Sequence, residues 1–183
     1  LPSYVLVVNP ENMTKSVNYS DRSVAVLFGD GSSAAVVSST VASPKTFSSS
    51  FCQSKPSSWD KVMIPRMGHF QQDGHAVQGF AIRKTTDSLR MLKKQFPGWN
   101  EHFKFVGHQA NLGMLRTVCE RAEIPEENHW HNVEYYGNTG CSGAPSVLSQ
   151  HWDDLAPGDH VAIALVGSGL TWAHLMLEIK EEA

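Results

Sequence analysis

At 183 residues, with 41% of them apolar and 18% charged, the chain is long enough to bury a core and should be globular. A net charge of -3, a pI near 6.3 and no basic cluster beyond Lys93-Lys94 exclude a nucleic-acid binder that relies on phosphate contacts. No apolar run approaches the roughly 18 residues that span a bilayer, residues 1–8 show no charged leader, and three unpaired-looking cysteines (Cys52, Cys119, Cys141) fit reduced thiols, so a soluble cytoplasmic protein without a membrane partner is expected.

Tyr4 to Val8 is an apolar run that predicts a buried strand, and such a start, with no Met before it, leads us to expect preceding chain. Val24-Ala25-Val26-Leu27-Phe28, then Gly29-Asp30-Gly31 and Ala34 to Val37, predict strand, glycine turn, strand. Residues 39–65, rich in Ser, Pro and Lys, predict an irregular connection without chemistry. Val77, Phe80, Ala81, Leu89, Leu92 and Phe96 follow helical spacing over residues 74–96, and Pro97-Gly98 ends the helix.

Residues 103–106 predict a strand that runs into His108, followed by a helix over 111–122 with Leu112, Leu115, Val118 and Cys119 on one face. Beyond Pro125 a short strand is expected over 131–135, and Gly137-Asn138-Thr139 should lead into a helix over 142–152. After a polar turn at 153–159 comes a second strand, Gly167-Ser168-Gly169 turn and strand. In its last strand Ala173, Leu175, Leu177 and Ile179 form the expected inward face, against Trp172, His174, Met176 and Glu178. The alternation of strands and helices indicates a layered α/β fold.

The two strand–glycine turn–strand segments look like one unit used twice, although two unrelated hairpins would read the same way. If the repeat holds, only 1–23 precede the hairpin in the first copy, and that half is truncated.

Polar residues on strand-to-helix turns are where open α/β sheets gather ligands, which singles out His108, Asn138 and the Gly167-Ser168-Gly169 turn. A neutral imidazole N–H and a carboxamide N–H can both donate to one developing oxyanion without fixed charge. Singly, a His at a helix start is as good a cap, and Asn before a helix is the usual N-cap. His129-Trp130-His131 lacks a third ligand at metal spacing, so no metal or cofactor is expected. His69 and His75 are expected to be exposed, and Trp130, Tyr135 and Tyr136 to pack.

Four motifs in order, Leu27-Phe28-Gly29-Asp30-Gly31, Gly107-His108-Gln109-Ala110-Asn111-Leu112, Tyr136-Gly137-Asn138-Thr139 and Gly167-Ser168-Gly169-Leu170-Thr171-Trp172, resemble the C-terminal portion of a β-ketoacyl-acyl carrier protein synthase III of the thiolase superfamily. The resemblance implies a thiolase-like α-β-α-β-α fold. It divides the chain into the last strands of an N-terminal half (1–40), a connection (41–73) and a complete C-terminal half (74–183). Of the family's Cys-His-Asn triad it assigns His108 and Asn138 to the pair that holds a malonyl thioester carbonyl during decarboxylation. It assigns the Ser168 backbone N–H to the oxyanion hole and Asn111 to substrate binding.

The family's acyl-accepting cysteine falls upstream of Tyr4. None of Cys52, Cys119 and Cys141 replaces it, and Cys141 is expected to pack. The implied partners are an N-terminal portion that carries the cysteine, acyl-CoA or acyl carrier protein thioesters, and a second copy in a dimeric assembly. The implied activity is decarboxylating Claisen condensation in fatty-acid or polyketide-type biosynthesis. The alternatives are a noncatalytic subunit of a ketosynthase heterodimer, or acyl transfer to an alcohol or amine. Thiolysis is disfavoured, because Gly167-Ser168-Gly169 holds no second cysteine. Gly113 stands where the family often has a basic residue, with Arg116 one turn on, while Leu170 and Ala173 replace a common aromatic and a common glycine.

Overall fold

The computed structural model of the chain describes residues 2–98 and 102–181. In chain order the elements are β1 (Val5–Asn12), α1 (Arg22–Ala25), β2 (Asp30–Val37), β3 (Lys45–Ser54), β4 (Val62–Met63), β5 (Gln71–Gln72), α2 (Gly74–Gln95), β6 (Phe103–Gly107), α3 (Leu112–Ala122), β7 (His129–Trp130), α4 (Val133–Tyr136), α5 (Gly143–Gln150), β8 (His160–Gly167) and β9 (Thr171–Ile179). The central sheet is five-stranded in the order β3-β9-β8-β6-β7, with β6 parallel to β7 and β8, and β9 antiparallel to β3 and β8. β1 and β2 form a separate antiparallel ribbon, and β4 and β5 a short one.

Two helices cover one sheet face. α2 begins where the Asp73 carboxylate accepts from Ala76 N–H at 3.1 Å, and Lys93 and Lys94 in its last turn suit the negative end of the helix dipole. α3 is capped by Asn111, whose side chain accepts from Met114 N–H at 2.9 Å, and ends where Glu123 turns left-handed at φ 56. Leu89 and Leu92 of α2 and Leu115 and Val118 of α3 bury themselves against Phe105, Ala162, Ala164 and Met176 of the sheet. Complete burial of side chains such as Leu92 and Phe105 contributes roughly 2–3 kcal/mol each. α5 packs Ala144 and Val147 on the opposite face against Val106, Val161, Ile163, Leu177 and Ile179. The result is a helix–sheet–helix stack, the mixed α/β layering expected of a thiolase-like fold.

Several expectations need correction. Lys45–Ser54, inside the stretch expected to be irregular, is a ten-residue edge strand paired with β9. Val24 to Phe28 is not a strand: the Asp21 carboxylate accepts from Ser23 N–H at 2.9 Å and starts a single helical turn that buries Val24. The glycine pair therefore leads straight into β2, with Gly31 inside that strand, so the first segment does not repeat the second as a hairpin. The strand expected over 131–135 is two residues long, His129–Trp130, and gives way to the short helix α4.

Burial also differs. In the first half of β9 Trp172, His174 and Met176 are the buried set, because α2 lies over that face, while Ala173 and Leu175 on the other face are only half-buried. β1 is a strand as expected, yet Val5, Leu6, Val7 and Val8 are exposed. Tyr135 and Tyr136 do not pack but stand in solvent, at 81% and 54% exposure. His69 and His75 are exposed as expected. Among the described residues no helix is long and apolar enough to cross a membrane.

Candidate active site

β6 and β8 run parallel, with Gly107 level with Ala164, so the turns that follow them emerge at the same end of the sheet. β6 ends at Gly107 because nothing larger fits: a Cβ there would lie 2.3 Å from Leu115 Cδ2. His108 follows at once, in a turn closed by Ala110 N–H donating to His108 O at 2.9 Å. The imidazole is half-buried, and its burial lowers the pKa from 6.5 to about 4, so it is neutral at pH 7.

Asn138 is held by backbone and side chain together. Its N–H donates to Leu27 O at 2.8 Å, its carbonyl accepts from Gly29 N–H at 3.2 Å, and Phe28 bridges it in parallel. Its Oδ1 accepts from Gly140 N–H at 3.0 Å, which ties down one end of the carboxamide, and its Nδ2 is the end that can donate. Glu11 of β1 steadies the same loop by accepting from Cys141 N–H at 2.9 Å.

The His108 and Asn138 turns are neighbours. A Cβ on Gly143, the first residue of α5, would meet Gln109 Cβ at 3.0 Å and Thr139 Oγ1 at 3.4 Å, so the residues following His108 and Asn138 crowd one point. Gln109 is a site residue that the sequence alone did not reveal. Fully buried, it donates from Nε2 to Gly107 O at 2.9 Å and accepts at Oε1 from Asn132 N–H at 2.9 Å and Val133 N–H at 3.2 Å.

Ser168 is exposed in the β8–β9 turn, at the same end of the sheet, where Gly169 adopts φ 126. Asn111 is exposed, with Oδ1 committed to capping α3. Cys141 is exposed rather than packed, and burial followed by the Glu11 hydrogen bond and charge raises its pKa. Cys52 lies exposed on β3, and burial pushes Cys119 up to about 12. His129 stacks on Phe105 at 5.3 Å and lies 4.7 Å from the His131 ring, while His131 pairs with Glu134 at 2.9 Å, and among the described residues no group of three ligating side chains gathers there.

Comparison with known proteins bears on this arrangement. Residues 2–56 match the family model for 3-oxoacyl-[acyl-carrier-protein (ACP)] synthase III, and residues 100–179 match the model for the C terminal of the same synthase. The β-ketoacyl-[acyl-carrier-protein] synthase III of Rubrobacter xylanophilus is 32% identical over 183 residues, covering 94% of this chain and 56% of that protein. The enzyme of the same name from Streptococcus pyogenes is 29% identical over 190 residues, covering 95% and 59%. The crystal structure of the Aquifex aeolicus synthase III superposes with a TM-score of 0.88 at 26% identity, over 96% of this chain and 58% of that one. The Thermus thermophilus synthase III gives 0.86 at 31% identity, over 96% and 59%. The chain thus spans a little over half the length of these relatives.

Proposed function

We propose, for a chain that belongs to the 3-oxoacyl-[acyl-carrier-protein] synthase III family of thiolase-like proteins, that it supplies the enolate-stabilising side of an acyl-thioester condensing site. It works with an N-terminal portion that carries the catalytic cysteine. The observation that supports this is the pairing of a neutral His108 with an Asn138 whose carboxamide oxygen is held by Gly140 N–H, on adjoining turns.

In the proposed reaction a malonyl thioester places its carbonyl oxygen between the His108 N–H and Asn138 Nδ2. Loss of carbon dioxide moves the bonding electron pair towards that oxygen, where two preorganised neutral donors stabilise the enolate. A charged imidazolium would also be able to lose its proton to the enolate and quench it, which burial of His108 prevents. The enolate carbon then attacks the carbonyl carbon of the acyl thioester on the partner portion's cysteine, the acyl oxygen accepting from Ser168 N–H; collapse of the tetrahedral intermediate breaks the C–S bond, expels the cysteine thiolate and leaves a 3-oxoacyl thioester. Asn111 contributes Nδ2 to the thioester arm, its Oδ1 being occupied as a cap. Acyl-CoA or acyl carrier protein thioesters are the substrates.

Two surfaces suit the N-terminal portion. Beside α5 the sheet leaves an open groove of about 250 Å³ lined by Ser50, Cys52, Ile163, Leu165, Ala173 and Leu175. The apolar side chains of β1 are exposed, and β1 pairs on one edge only with β2. Under this reading residues 1–40 complete an N-terminal half, 74–183 form the C-terminal half, and β3 within 41–73 joins the second sheet.

The test is to supply the cysteine-bearing portion and follow the two half-reactions separately. His108→Ala or Asn138→Ala is expected to abolish condensation while acylation of the cysteine, read by mass, persists. Condensation equal to that of the parent in either variant refutes the assigned roles.

A further inference from the structure

We infer that Gln109 is a positioning residue, a carboxamide clamp that fixes the His108 turn against the segment leading to Asn138. The inference rests on the roles proposed for those two residues. Its three hydrogen bonds all go to backbone, and they join two pieces of chain that are far apart in sequence. One is Gly107, the residue before His108; the other is the start of α4, whose end runs through Gly137 into Asn138, and the clamp carries their contact one step past the point where the β6–β7 pairing stops at Val106 and Trp130.

The chemistry of the two partners explains why an amide is needed. The first N–H groups of a helix have no partner within it, and the N-cap residue of α4, Asn132, makes no capping bond with its own side chain. Gln109 Oε1 supplies the missing acceptor to Asn132 and Val133 N–H together. At the other end, Gly107 O requires a donor, which Nε2 provides. One group must therefore accept at one end and donate at the other, about a side-chain length from the backbone. A carboxamide at the end of this side chain does both without charge, and its oxygen can accept two N–H groups at once.

The Asn132 carboxamide, freed from capping, extends the clamp to α5 by donating to Ser146 Oγ at 3.1 Å and Gln150 Oε1 at 2.9 Å. Gly143 closes the space from the other side, since its Cβ would touch Gln109 Cβ at 3.0 Å. Gln109 has no freedom to swing away. A hydrophobic side chain would fill the same volume without the desolvation cost of an amide, so the polar group serves the geometry rather than core packing.

Gln109→Met removes all three bonds at nearly constant volume, and Gln109→Glu keeps the acceptors but sets an oxygen against Gly107 O. Hydrogen exchange on the full chain is the first readout. Asn132 and Val133 amides are expected to exchange about tenfold or more faster in the Met variant, with α2 unchanged, and to stay protected in the Glu variant. The second readout is the reaction with the cysteine-bearing portion. Displacement of the His108–Asn138 pair by up to about 1 Å lowers kcat of condensation roughly 10- to 100-fold in the Met variant, less in the Glu variant, with acylation of the cysteine within about twofold of the parent.

Unchanged exchange at Asn132 and Val133 overturns the clamp. Equal losses in acylation and condensation overturn its positioning role, since general destabilisation would produce them. A parent that never condenses with any such portion overturns the condensation reading instead, and leaves the exchange result to judge the clamp alone.

Discussion

A methyl group on Gly29 has no space to occupy. Its carbon would lie 2.0 Å from the Tyr136 carbonyl oxygen and 3.2 Å from the carbonyl carbon. An unstrained carbon–oxygen contact needs about 3.3 Å, so the backbone on one side must retreat by roughly 1 Å. Neither side is a flexible side chain, and the two segments are joined by Gly29 N–H to Asn138 O at 3.2 Å and Asn138 N–H to Leu27 O at 2.8 Å. Overpacking costs about 1–3 kcal/mol and each strained bond about 1 kcal/mol, so Gly29→Ala should destabilise the chain by roughly 2–5 kcal/mol. Gly79→Ala is the control: it lies in the interior of α2 with nothing within 4 Å of the added carbon, and should stabilise by about 0.5–1 kcal/mol. Urea unfolding of the three proteins measures both values. If Gly29→Ala unfolds within about 0.5 kcal/mol of the parent, the link between the Phe28 segment and the Asn138 loop is not a rigid joint.

Three further outcomes follow from the burial of titratable groups and from the core. His108 and His129 have folded pKa values of about 4 against an ordinary 6.5, so the unfolded chain binds more protons between these values. The stability they confer is full above about pH 6.5 and is lost as pH falls; between pH 7 and 5 each should cost about 2 kcal/mol in urea unfolding, and a flat profile refutes the burial of both rings. The thiols should alkylate in the order Cys52, Cys141, Cys119, with Cys119 protected until the chain unfolds; rapid native labelling of Cys119 contradicts its place in the core. Leu92→Ala, at a fully buried position between α2 and the sheet, should lower stability by about 2–5 kcal/mol, and a loss below 1 kcal/mol would mean that α2 does not seal that face.

The elements readable in the sequence were those whose signals are local. α2 shows helical periodicity, an Asp73 cap and a Pro97-Gly98 stop within its own residues, and β8 and β9 are apolar runs on either side of a glycine turn. β3 was hidden because what makes it a strand is β9, paired through Lys45 with Ile179 and Ser54 with Thr171, far along the chain. Its serines carry no strand signal of their own. Val24 to Leu27 misled in the other direction: apolar and β-branched residues favour a strand, but the Asp21 side chain starts a helical turn first.

The faces of β9 could not be ranked by alternation, since a sheet with helices on both sides buries both sets. At the site, His108 and Asn138 were visible because polar side chains of these types beside glycine turns stand out, although only His108 lies on a strand-to-helix turn and Asn138 follows the short helix α4. Gln109 was not, because its role depends on two N–H groups that only the fold brings within its reach.

The sheet order has a consequence for synthesis of the chain. β9, the last strand, sits second from the edge between β3 and β8, so the sheet cannot close until residues near Ile179 have been made. β3 emerges early and has no lasting partner while the intervening chain is translated, a non-local pairing that slows folding and leaves a bare edge meanwhile. Loss of the final strand, by a premature stop or by a protease, would therefore do more than fray a terminus. It would detach β3, take Met176 out of the core on one face and Leu177 out of the core on the other, and remove one wall of the turn that carries Ser168.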